Sequence, residues 1–229
     1  MNACTTTTAT IPAASGVSVP LARARLYHFL ELALAHPGED GFDYFRQEAT
    51  SAAFDSLILD LQAQAVPSMR SFFDTLNGHS FEQAESAHIA LFSANFPQVP
   101  CPPYGSLFTA EDDSKRLDEM LAIKEFYQRA GMDVATSFDD LPDHLCVELE
   151  FMQLLCFRED DAVAVGDEAM AEGARRCQAE FLDRFLLPFI EPLTTLALRA
   201  DTENPYSHLL AATNCLLAFH RSQIGESSP

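Results

Sequence analysis

The 229-residue chain has no tryptophan and only two lysines, Lys115 and Lys124. Its remaining fixed cations are arginines, and 34 acidic against 14 basic side chains leave a formal net charge of −20 at pH 7. A surface of this sign repels a phosphate backbone, which argues against nucleic acid as a partner. It attracts a basic ligand, and added salt slows that encounter. The same acidity also keeps a protein soluble with no functional meaning. No G-x-G-x-x-G, phosphate-binding loop or G-x-S-x-G occurs, so the common nucleotide and hydrolase signatures are missing. No apolar run approaches the roughly 18 residues of a bilayer span, so stable membrane insertion is not expected. The six cysteines, at positions 4, 101, 146, 156, 177 and 215, form no C-x-x-C, and no zinc or iron–sulfur site is signalled. Cys146, Cys156 and Cys177 sit in apolar helical patterns, where cysteine behaves as a small hydrophobe. Free thiols, a reducing compartment and a cytoplasmic address are the expectation. The opening "MNACTTTTATIPAASGVSVP" lacks the charge and the apolar stretch of a secretory signal, and reads as a disordered tail over 1–19.

What the chain does have is helical periodicity. In "PLARARLYHFLELALAHPG", Pro20 is a tolerated first-turn residue and Pro37-Gly38 a stop, with Leu26, Tyr27, Leu30, Ala33 and Leu34 on one face. Similar stripes run through 50–65, 68–76 and 81–96, the last with Ala84, Ala87, His88, Leu91 and Phe92. Four prolines in seven residues then break the pattern within "PQVPCPPYGSLF", residues 97–108, and force an extended path. A helix over about 111–130 is expected to turn Leu117, Met120, Leu121 and Tyr127 inward and to end at Gly131. The next is expected from Asp140 to about Arg158. A loop, "REDDAVAVGDE", leads to a helix over about 167–187 with Met170, Ala174, Cys177, Phe181 and Phe185 on one face. Pro188 and Pro192 interrupt or kink the next segment, "LLPFIEPLTTLALRA". Asn204-Pro205 caps a last helix through Tyr206, Leu209, Leu210, Thr213 and Leu217. The fold class is all-α: one globular domain over 20–222, roughly 8–10 helices, a proline-rich loop near its middle, and a flexible end over 223–229.

The most informative stretch is "DDLPDHLCVELEFM", residues 139–152. Asp140 reads as a helix cap, Asp143 echoes a capping box, and Pro142 costs nothing in a first turn. His144 and Glu148 are stacked one turn apart. They are open to three readings: two ligands of a metal, an acid–base pair, or a structural hydrogen bond on a capped helix. Two ligands are too few for a metal site, and no nucleophile stands beside an acid–base pair. "CPPYGS", residues 101–106, offers an aromatic ring and a hydroxyl in a stiff frame, and stiffness lowers the entropy lost on binding.

Together, "PPYGS" at 102–106 and "LPDHLCVELEFMQLL" at 141–155 resemble the TorD/DmsD/NarJ-like family of chaperones that mature molybdenum-containing oxidoreductases. "YSHLLAATNCLLAF" at 206–219 supports the resemblance, which spans most of residues 20–222. The family often carries tryptophans near its groove. This chain has none, and Phe92, Phe96, Tyr104 and Phe189 are candidates to stand in for them. The resemblance implies a non-catalytic, cytoplasmic, all-helical chaperone without a cofactor of its own. Its partner is a cofactor-free molybdopterin-dependent catalytic subunit and that subunit's twin-arginine signal peptide; a monomer and a dimer are both compatible. Peptide-binding residues carried over are Pro103, Tyr104, Ser106, Pro142, Asp143 and His144, with Glu148 added as the next-turn neighbour of His144 and Phe92 and Phe96 as apolar cover. Asp143 and Glu148 are expected to accept guanidinium N–H bonds. Two rivals remain: a metal-dependent helical enzyme using His144 and Glu148, and a chaperone that grips the body of a retained enzyme rather than a leader.

Overall fold

The structure, a computed structural model, describes residues 17–61, 66–93, 98–132 and 141–225. The helices are α1 (Val19–Leu34), α2 (Glu39–Phe45), α3 (Glu48–Asp60), α4 (Pro67–Asn77), α5 (Phe81–Phe92), α6 (Ser106–Thr109), α7 (Asp113–Arg129), α8 (Leu145–Ala164), α9 (Glu168–Phe181), α10 (Leu187–Ala200) and α11 (Pro205–Gln223). Apart from the one-turn α6, all are seven residues or longer, and among the described residues there is no named strand, so the fold is all-α. Local chemistry sets the ends. The Ser18 hydroxyl accepts from Leu21 N–H at the start of α1, Ser80 and Gln83 form a reciprocal capping box on α5, and the Asn204 side chain accepts from Tyr206 N–H ahead of Pro205. Gly131 follows α7 at φ 71°, the left-handed conformation that suits glycine.

Several boundaries differ from the sequence expectation, each for a physical reason. α2, "EDGFDYF", follows the Pro37-Gly38 stop at once and buries only Phe42 and Phe45, too few for a stripe. In α7 the inward face is Ile123, Phe126 and Tyr127, while Leu117 and Leu121 are 57% and 50% exposed. The first half of α7 therefore stands off the core. α8 begins at Leu145, not near Asp140, which lies outside the described residues together with the rest of 133–140. It runs on to Ala164 through the acidic segment expected to be loop, because Glu159 and Ala162 face inward and arginines neutralise Glu159. Met170 is exposed rather than inward. Pro188 and Pro192 do not break the chain into separate helices. A π turn, Leu182–Leu186, closes with Leu187 N–H donating to Leu182 C=O, and Pro188 follows it directly in the first turn of α10. Pro192 lies inside α10. At the ends, Ser18 and Val19 already belong to the start of α1, and Ile224, just after α11, is buried. Residues 1–16 and 226–229 are outside the described residues.

α1 packs along α8, α8 against α9, and α11 against both α4 and α10. Phenylalanine supplies the bulk that tryptophan would. Phe126, Phe151, Phe181 and Phe185 form one ring cluster with centroids 4.6–5.9 Å apart. Phe29, Phe45, Phe54, Phe72 and Phe73 form a second. Each such contact adds about 0.5–1.5 kcal/mol beyond the burial of its area. One buried polar chain fixes how α1, α8, α9 and α11 meet. Tyr27 Oη lies 2.7 Å from His220 Nδ1, His220 Nε2 lies 3.1 Å from Gln178 Oε1, and Gln178 Nε2 donates to Glu159 Oε2 at 2.9 Å. Glu159 also faces Arg23 at 3.6 Å and Arg175 at 3.3 Å. Burial and nearby Arg23 hold His220 well below the ordinary imidazole range, so it is neutral and serves as both donor and acceptor.

Candidate functional site

The two motif segments meet. Gly105 N–H donates to Asp143 C=O and Leu145 N–H to Pro103 C=O, both at 2.9 Å, and Tyr104 pairs with His144 as an isolated antiparallel bridge. In an antiparallel pair of this kind the facing residues lie between the hydrogen bonds, where side chains come closest. Accordingly the two rings are edge to face, with centroids 5.2 Å apart. The bridge uses only the carbonyl of Pro103, so proline's missing N–H costs nothing there. It also uses Leu145 N–H, which at the first position of α8 has no partner within the helix. His144 is the N-cap: its Nδ1 accepts from Cys146 N–H at 3.2 Å, which leaves the ring proton of the neutral form on Nε2. Pro142 lies in the turn before the bridge rather than inside the helix, and its carbonyl accepts from Tyr127 Oη at 2.8 Å, tying α7 to the clip.

The clip has two faces. On one, Tyr104, His144, Pro103 and Phe92 join Leu34 and His88 around a groove of about 400 Å³. Four residues expected at the site are thus brought to one surface. The His88 ring is buried between Phe92 and Tyr206, with centroids 4.8 and 5.0 Å away. Its Nε2 faces the Leu34 carbonyl at 3.1 Å, and burial pulls its pKa down to about 4. His88 therefore adds no positive charge to the groove at neutral pH. On the other face, Ser106, Asp143, Glu148, Gly105 and Arg184 surround a cavity of only about 10 Å³. Asp143 Oδ2 accepts from Ser106 N–H at 3.0 Å and caps α6. Glu148 is pushed well above the ordinary carboxyl range, first by burial and then by the Asp143 carboxylate.

His144 and Glu148, one helical turn apart, therefore line different cavities. The turn between the N-cap and the first helical residues swings the imidazole outward, while the helix points the carboxylate inward. Asp143 and Glu148 are 3% and 1% exposed, so a ligand in the groove does not touch them. Phe189 is fully buried, against Phe108, and lines no groove. Phe96 lies outside the described residues. Among the described residues no three histidine, cysteine, aspartate or glutamate side chains are grouped to hold a metal ion, and no helix is long and apolar enough to cross a membrane. Sequence reading missed Glu31, Leu34 and His36, which reach the groove from the end of α1 and just beyond it. It also missed the Tyr127 tie. No local pattern marks these; only the packing of α1 along α8 brings them to the clip.

The chain belongs to the nitrate reductase delta subunit family, whose sequence profile matches residues 56–195 and includes both halves of the clip; this is the TorD/NarJ-like maturation-chaperone group. A selenate reductase assembly chaperone protein of Thauera selenatis is 39% identical over 115 residues, covering 49% of this chain and 55% of that one. A perchlorate reductase assembly chaperone protein of Dechloromonas aromatica is 27% identical over 195 residues, covering 81% and 82%. The chaperone protein TorD of Photobacterium profundum is 25% identical over 204 residues, covering 86% and 90%. The first of these matches spans just over half of its relative's length. All three are named as chaperones and none as an enzyme.

Proposed function

We propose that this chain is a cytoplasmic, non-catalytic chaperone that binds the cofactor-free catalytic subunit of a molybdopterin-dependent oxidoreductase until the cofactor is in place. Its groove takes up the subunit's twin-arginine signal peptide, so that export waits for loading. The observation that carries this reading is the pairing of the two motif segments into one wall of an apolar groove. Family membership and the printed names of the relatives support the client class. The net charge of −20 favours a basic leader over an acidic one. Tyr104, Phe92 and Leu34 offer apolar and aromatic cover for the leader's hydrophobic part, held as a helix or an extended strand. Asp143, Ser106 and Glu148 hold the clip from behind rather than touching the peptide.

Titration calorimetry with the cognate leader tests the reading. Binding is expected to weaken at least about tenfold in Tyr104→Ala, the loss that comes with removing an aromatic anchor. A leader that binds both proteins equally removes the groove from the account. In a second reading the enzyme body and not the leader is gripped. Capture of the partner subunit with and without its N-terminal segment separates the two.

A further inference from the structure

We infer that Glu31 is the residue by which the groove selects an arginine, over a lysine or a neutral side chain, in the segment that docks there. This rests on the peptide-binding reading above. Of the described residues that line the groove, Glu31 is the only one with a carboxylate, and none is a lysine or an arginine. The acidic residues of the motif itself are sealed behind the clip, whereas the Glu31 side chain is 25% exposed. The Glu31 backbone lies against the first turn of α8, with its carbonyl 3.8 Å from Cys146 Sγ, and Glu31 is one of the residues lining the groove with Tyr104 and His144.

The charges around Glu31 favour an incoming cation. Its present partner is the His28 imidazole at 3.4 Å, half exposed and three residues back on the same helix, a contact of the weak surface kind. Partial burial raises the Glu31 pKa, and the Glu150 carboxylate from α8 raises it further, with His28 opposing both. The positive charge of a guanidinium in the groove would offset the cost of burial and the repulsion together. His36, Tyr104 and His144 complete the titratable groups on the lining beside Cys146 and the neutral His88. The preference for arginine comes from shape. A planar guanidinium can lie on the Tyr104 or Phe92 ring while its fork pairs with one carboxylate, and a lysine ammonium does only the second poorly and the first less well.

The test is a double-mutant cycle by calorimetry on the full chain. The probes are a synthetic peptide with an arginine pair ahead of an apolar segment, the same peptide with both arginines changed to lysine, and one with both changed to glutamine. The proteins are wild type, Glu31→Gln, Glu150→Gln as a control for general charge, and Tyr104→Ala. Wild type is expected to lose about tenfold or more in affinity on going from arginine to glutamine, the size of a charge-assisted pair. Glu31→Gln is expected to lose the same factor for the arginine peptide and almost nothing further for the others, while Glu150→Gln keeps the discrimination. Equal discrimination in wild type and Glu31→Gln overturns the inference, as does an equal effect of Glu150→Gln. A peptide lost with Tyr104→Ala but indifferent to Glu31→Gln leaves the groove reading standing and removes only Glu31. A peptide that wild type does not bind, or that Tyr104→Ala binds unchanged, removes the groove reading itself.

Discussion

Tyr104 and His144 face each other across a single antiparallel bridge, their rings 5.2 Å apart, between two loops that the chain otherwise keeps separate. The pair does two jobs at once. It closes the backbone bonds that start α8, and it presents two rings to the groove. Replacing His144 by alanine removes the N-cap acceptor and is expected to cost about 0.5–2 kcal/mol of stability. His144→Asn restores a capping oxygen and is expected to recover most of it. Urea denaturation of the three proteins measures this, and a His144→Ala variant as stable as wild type would show that the cap contributes nothing.

Burial, and then the Asp143 carboxylate, push the Glu148 carboxyl well above its ordinary range. Between the ordinary carboxyl value of 4.5 and its raised folded value, the folded state keeps a proton that the unfolded state releases. Glu148 therefore lowers stability as pH rises through that window, by about 1.4 kcal/mol per pH unit. Glu148→Gln keeps the shape and removes the titration. The variant is expected to match wild type near pH 4 and to be the more stable of the two at pH 7–8. A stability difference that does not change with pH contradicts the assignment.

His88 works in the opposite direction. Its folded pKa of about 4 lies below the ordinary 6.5, so the unfolded chain gains a proton first as pH falls. Stability is lost between pH 6.5 and about 4, up to about 3 kcal/mol for this one residue, and no more below that. His88→Gln is expected to flatten the acid limb of the stability curve by that amount relative to wild type. An unchanged limb would mean that the folded imidazole does not titrate below the unfolded one.

Gly105 has an ordinary φ of −57°, so its smallness matters for space and not for backbone freedom. A Cβ there would meet Glu148 Oε1 at 3.2 Å and the Phe189 ring at 3.3 Å, both buried. Gly105→Ala is expected to destabilise by about 1–3 kcal/mol, the usual range for overpacking, and to loosen the bridge next to it. Thermal melting and the hydrogen-exchange rate of the Gly105 and Leu145 amides report the two effects. A variant with unchanged melting shows that the cavity behind the clip can absorb a methyl group.

How much of this was written in the sequence depends on whether the signal is local. Asn204-Pro205 announces α11, and Gly131 closes α7, because caps and stops act over a few residues. The two motif segments were recognisable as belonging together, and they do meet. What could not be read was the direction of each side chain. His144 and Glu148 share a helical strip on paper, yet one caps the helix from outside and the other lies inside it. The acidic tail of α8 reads as loop because its inward Glu159 is neutralised only by Arg23 and Arg175 from other helices. Glu31 carries no mark at all, since its place in the groove comes from the packing of α1 against α8.

In the proposed role the clip-walled groove holds a cofactor-free molybdenum oxidoreductase subunit by its signal peptide. The most direct test of that role is capture of the subunit by the purified chain and by a Tyr104→Ala/His144→Ala variant whose helical circular dichroism is unchanged. The account predicts a stable complex with the unmodified chain and its loss in the variant. Equal capture by both, or none by either, contradicts it.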